Sequence, residues 1–166
     1  MVQVLSFSPP PVDRREILRY AGCRQPGPAE MDLLESCLAE LGDRLRCQVC
    51  WDTFPVSSGG GRSGPGFCLD RLRASPGGCP AAGSVCFSPP AVGLELDRLI
   101  ARYGAVSPAR GLFFQAIGAE RIEALCDAFC ARQAEELARQ GLGVTQRFSP
   151  GYGVFGRCLS KGTSSG

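Results

Sequence analysis

SPARGLFFQAIGAERIEALCDAFCARQAEELARQG, residues 107–141, is the stretch on which the fold turns. Ser107 offers a capping hydroxyl and Pro108 sits where the first helical residue needs no N–H. No further proline interrupts the run, and Gly141 supplies a stop, so the sequence predicts one long helix to Gln140. Phe114, Gly118, Ile122, Leu125 and Phe129 recur at helical spacing and mark one buried face. A helix of that length has to be covered by other elements.

Those elements are readable on its N-terminal side. GLELDRLIARYG, 93–104, carries Leu94, Leu96, Leu99 and Ile100 as an apolar stripe. Pro28 opens a helix that Gly42 stops, with Leu33, Leu34, Cys37, Leu38 and Leu41 inward. Asp13 can cap a short helix from Arg14 to Ala21, ended by Gly22. LRCQVCWDTFPV, 45–56, alternates Leu45, Cys47, Val49 and Trp51 against Arg46, Gln48 and Asp52, the period of a strand. SVCF, 84–87, reads as a buried strand ended by Pro89-Pro90. Phe67 to Leu72 is a short strand candidate, and 142–148 a strand leading out of the long helix. Residues 57–66 and 74–81 are turn-rich. Residues 1–12 read as an extended arm closing on Pro9-Pro10-Pro11. Helices and strands in mixed order, with no internal repeat, make an α/β or α+β domain.

The chain has 166 residues, of which 44% are hydrophobic and 20% charged, the composition of a soluble globular domain. A net charge of +2 argues against an electrostatic nucleic-acid binder. There is no histidine, so His-based triads and facial-triad metal sites are excluded. The N-terminus lacks the basic region of a signal peptide, and no apolar run reaches membrane-spanning length. The expected compartment is the cytoplasm, with the ten cysteines largely reduced.

Cys47 and Cys50 form a C-x-x-C, but on a strand residues three apart point to opposite faces. With no second C-x-x-C, a zinc knuckle is disfavoured. Cys126 and Cys130, four apart on the long helix, fit core packing better than chelation. A cysteine-rich metal-binding or redox module stands as the alternative reading. Glu123 and Asp127 lie one turn apart, able to hold a cation or a ligand amine, or to be a solvated face. Glu95 and Asp97, two apart on a predicted helix, carry the same caution as a solvated face.

QRFSPGYG, 146–153, carries the most chemistry. Arg147 offers a planar fork for a carboxylate or phosphate. Pro150 fixes its own φ and restricts Ser149, and Gly151 permits a bend that other residues resist. The main chain of 148–151 is thereby suited to reading a planar heterocycle, with Tyr152 adding a ring. A structural turn beside a surface arginine is the other reading.

Arg-x-x-Pro-Gly-Tyr at 147–152 resembles the signature of the activation domain of cobalamin-dependent methionine synthase. The fuller RFSPGYG is similar to that of its stand-alone relatives. REILRYAGCR, 15–24, and residues 92–130 resemble their helical segments, so the likeness spans roughly 12–153. It implies a twisted mixed or antiparallel sheet flanked by helices, and an S-adenosylmethionine site. Arg147 would meet the methionine carboxylate, Ser149, Pro150 and Gly151 the adenine through the main chain, and Tyr152 would line the site. A carboxylate on the long helix, Glu123 or Asp127, would approach the same ligand. The implied role is reactivation of oxidised cobalamin by reduction and methyl transfer. The implied partners are cobalamin-binding methionine synthase modules and an electron donor such as flavodoxin or ferredoxin. No catalytic or metal-binding side chain, nucleic acid or membrane is implied.

The likeness stops after Gly153. The relatives resemble Asp-aromatic-Pro-Leu-x-x-Gln at that point, whereas this chain has VFGRCLSKGTSSG, 154–166. That tail is rich in Gly and Ser, lacks apolar periodicity, and is expected to be unstructured. A back-translation of Phe155 to Gly166, read two bases later, gives WPVPFQRDIFR, which restores the Pro, the Gln and an Ile-Phe pair. The expectation is a domain over 13–153 without its last strands, followed by a frameshifted tail. Such a chain is expected to bind S-adenosylmethionine weakly or not at all, or to be a non-functional fragment, where a frame-restored chain binds.

Overall fold

The computed structural model describes residues 1–55, 84–144 and 147. The readings for 57–66, 67–72, 74–81 and 154–166 lie outside the described residues. The elements are β1 (Gln3–Phe7), α1 (Arg14–Tyr20), α2 (Pro28–Leu41), β2 (Cys47–Pro55), β3 (Ser84–Phe87), β4 (Pro90–Ala91), α3 (Leu94–Val106) and α4 (Pro108–Arg139). This is a small sheet with four helices, a mixed α and β architecture. β1 and β2 pair antiparallel, with Leu5 opposite Val49 and Phe7 opposite Cys47. β4 pairs antiparallel with β2, Pro90 opposite Val49, and β3 is also hydrogen-bonded to β2.

The chain divides into two compact units. The first comprises Met1–Asp52 and Ser88–Glu135. Its core draws on every helix: Ile17 and Leu18 from α1, Leu34, Cys37 and Leu41 from α2, Leu96 and Leu99 from α3, and six apolar residues of α4 including Phe114, Ile117 and Leu125. β2 contributes Cys47 and Val49, at 3% and 1% exposure, while Gln48 and Cys50 between and beyond them are exposed. The alternation expected of a half-buried strand is therefore present. Each fully buried Leu or Ile contributes about 1.5–3 kcal/mol of transfer free energy.

Helix ends follow the local chemistry. The Asp13 carboxylate accepts from the backbone N–H of Arg15 and Glu16, capping α1. Pro28 stands in the first turn of α2. α1 ends where Gly22, at φ 77°, lets the Cys23 N–H reach back to the Leu18 carbonyl at 2.9 Å.

In the second unit, Thr53–Phe87 with Glu136–Gly166, the described residues are the end of β2, β3, the last turn of α4 and the residues just after it. Gly141, at φ 72°, closes α4 in the same manner as Gly22 closes α1, with Leu142 N–H bonded to Leu137 O at 2.9 Å.

Several expectations need correction. The extended arm contains a paired strand, β1, because Leu5 and Phe7 can both face the core while β2 accepts the ladder. Pro90 opens β4 rather than only ending β3; a proline can sit at a strand's first position. The buried face of α4 is rotated: Gly111, Phe113, Ala116, Ile117, Glu120 and Arg121 are buried with Phe114, Leu125 and Phe129, while Gly118 and Ile122 are only half-buried. Leu94 is exposed on α3. The strand expected over 142–148 is absent at Leu142, Gly143, Val144 and Arg147, the residues of it that are described.

Candidate functional site

Of the motif residues, Arg147 is described and solvent-exposed; Ser149, Pro150, Gly151 and Tyr152 lie outside the described residues. Glu123 and Asp127 are exposed on α4. They continue, at helical spacing, the row that begins with Glu120, so one edge of α4 carries three carboxylates.

Glu120 and Arg121 were not singled out by the sequence, and they form the most buried polar feature described. Their exposures are 4% and 1%. Arg121 pairs with Glu120 through Nε and Nη2. It also donates to the carbonyls of Pro10, at 2.5 Å, and Pro11, at 2.7 Å. The Glu120 carboxylate accepts the Asp13 N–H at 3.0 Å. A charged pair at adjacent positions on a helix gives no periodic signal, so only the tertiary partner, a proline run that offers carbonyls and no N–H, could have suggested it.

A second polar cluster joins α2, α3 and α4. The Glu40 carboxylate accepts from Tyr103 Oη at 2.8 Å and from Arg110 Nη2 at 2.5 Å. Arg110 also donates to Ser36 Oγ at 3.0 Å and lies over the Tyr103 ring, which stacks on Phe114. Burial pushes the Glu40 carboxyl up; the hydrogen bonds from Tyr103 and Arg110, with the charges of Arg110 and Arg102, outweigh it and hold the group below its ordinary value. Arg110 Nε is buried without a hydrogen-bond partner among the described residues, but the charges of Glu40 and Arg110 neutralise each other, which is the chemistry of a structural tie.

Between α3, α4 and β4 lies an open cleft of about 550 Å³. Its lining is mainly apolar, with Val92, Leu96, Ile100 and Ile122, and its polar groups are Asp97 and Gln115. Gly118 of α4 forms part of the wall because α3 approaches closely there: a β-carbon on it would stand 2.8 Å from Leu96 Cδ2. Of the carboxylates noted on α3, Glu95 is paired with Arg98 and with Arg44, while Asp97 lines the cleft.

The thiols divide by face. Cys47 is buried and Cys50 exposed, so the two ends of the C-x-x-C do not converge on one point. Burial raises the thiols of both Cys37 and Cys47, an effect that the charge of Arg110 opposes at Cys37 and that of Arg121 at Cys47. Among the described residues no three metal-ligating side chains gather. No helix among them is long and apolar enough to cross a membrane. A scan against protein-family models finds no match to this chain, and a search of curated proteins also finds none.

Proposed function

We propose that this chain is an S-adenosylmethionine-binding accessory protein that supports reductive methylation of cobalamin held by a cobalamin-dependent methionine synthase. The observation that carries the reading is RFSPGYG at 147–153, in which a fork-shaped cation, a rigid bend and a tyrosine ring follow one another. Arg147 takes the ligand's carboxylate, the main chain around Ser149, Pro150 and Gly151 reads the adenine, and Tyr152 packs on the ligand. Cobalamin held by the partner would supply the methyl acceptor and a flavodoxin- or ferredoxin-type donor the electron, while these residues would hold the S-adenosylmethionine that gives up its methyl group and is released as S-adenosylhomocysteine. The chain's own contribution is binding and orientation. That division suits a chain with no histidine.

Calorimetric titration with S-adenosylmethionine tests this, on the 166-residue chain and on one carrying the restored frame. Saturable binding by either, weakened at least about tenfold by Arg147→Ala as befits loss of a charge-assisted pair, supports the reading. Absence of binding by both chains overturns it.

A further inference from the structure

Among the described residues β1 pairs with β2 alone, as a five-residue edge strand whose own sequence does not exclude a two-residue slip. Gln3, Leu5 and Phe7 share one face and Val2, Val4 and Ser6 the other, so both faces are partly apolar. A slip by two residues along β2 would keep Leu5 and Phe7 inward, because side-chain direction repeats every two residues. A slip by one would put Val4 and Ser6, or Ser6 and Ser8, in place of Leu5 and Phe7, so the ladder resists a one-residue slip but not a two-residue one. Something outside the ladder has to choose.

The next residues along the chain carry such a device. Pro9, Pro10 and Pro11 cannot donate to a ladder, yet their carbonyls still need donors. Arg121 supplies them to Pro10 and Pro11, and Glu120 accepts the Asp13 N–H. Only Ser8 and Pro9 separate the clamped Pro10 from Phe7, the last paired residue of β1. Proline's fixed φ makes that spacer stiff. A two-residue slip would displace the clamped carbonyls by roughly 7 Å, far beyond hydrogen-bond reach. Arg121 also lies close enough to Cys47, the residue opposite Phe7, for its charge to act on that thiol.

Buried ion pairs are seldom the most stable way to fill a core, and fixing register is their best-attested use. We propose that the Glu120–Arg121 pair is a register clamp: it holds the proline strap at one position on α4 and thereby sets Leu5 opposite Val49.

Amide hydrogen exchange and cross-strand nuclear Overhauser contacts, read on the full chain, test this. The variants are Glu120→Gln with Arg121→Met, which removes both charges together, and Arg121→Lys, which keeps the charge but cannot span both carbonyls. The expected result is β1 amides exchanging at least about tenfold faster while α2 amides keep their protection, a local rather than global opening. A second set of contacts, two residues displaced from Leu5–Val49, should accompany it. Unchanged β1 protection with the native contact alone overturns the proposal. So does equal acceleration in β1 and α2, which would make the pair a global stabiliser. If the double variant does not fold, the same outcomes are read from Arg121→Lys.

Discussion

Glu40 shows how one side chain can hold three helices. It projects from α2, accepts from Tyr103 of α3, and pairs with Arg110 of α4. Its carboxyl lies below the ordinary value in the folded chain, so the unfolded chain takes up its proton first as pH falls. The stability it contributes is complete above the ordinary glutamate pKa, about 4.3, and drains away as pH drops through the lowered folded value. Thermal melts across the acid range should therefore fall less steeply for Glu40→Gln than for the parent chain. At neutral pH that variant should be less stable by about 1–2 kcal/mol, since Arg110 and Tyr103 lose a charged acceptor. Parallel acid limbs for the two proteins would show that Glu40 does not titrate as argued. None of this was legible in the sequence: Glu40, Tyr103 and Arg110 are far apart along the chain, and charge at a helix surface usually signifies solvent.

At the scale of the element, glycines separate crowding from propensity. Gly111 is buried at the start of α4, and a β-carbon there would stand 3.3 Å from the backbone of Gly104 on α3. Backbone cannot step aside, so Gly111→Ala should lower stability by about 1–2 kcal/mol, overpacking outweighing a helix-propensity gain of nearly 1. At Gly104 a β-carbon would meet nothing within 4 Å. Gly104→Ala should instead raise stability by about 0.5–1 kcal/mol. Denaturant midpoints of the two variants should move in opposite directions; movement in the same direction would refute the close α3–α4 crossing.

The helices themselves were plain in the sequence because their signals are local. Asp13, Pro28 and Pro108 open them, and Gly22, Gly42 and Gly141 stand at their ends. What periodicity misjudged was the orientation of α4. Glu120 and Arg121 carry no apolar signal, so a face marked by Phe114, Gly118, Ile122, Leu125 and Phe129 leaves them out although both are buried. β1 was missed for a related reason: a short edge strand is made by its partner, and Val4 opposite Cys50 gives no inward–outward contrast. For the candidate site, Arg147, Glu123 and Asp127 could be placed, and their exposure is what a charged residue's own chemistry would suggest.

For the molecule as a whole, the cysteines give a direct reading of whether the core closes as one body. Cys37 and Cys47 are buried, on α2 and β2, and burial raises both thiols, so neither presents a thiolate to reagent while the core is shut. Cys50 is exposed on the opposite face of β2 from Cys47. Alkylation of the native chain, followed by mass spectrometry, should label Cys50 rapidly. Cys37 and Cys47 should remain protected and then react together, at one rate, as denaturant is added. They sit on different elements of one hydrophobic cluster, so only an opening that separates α2 from the sheet exposes both. Early, independent labelling of Cys47 would mean that the sheet detaches without unfolding the helices. In that case the buried pair at Glu120 and Arg121, which ties the strap of β1 to α4, would be the first contact to examine, because it bonds the chain just beyond the end of the strand that lies against Cys47.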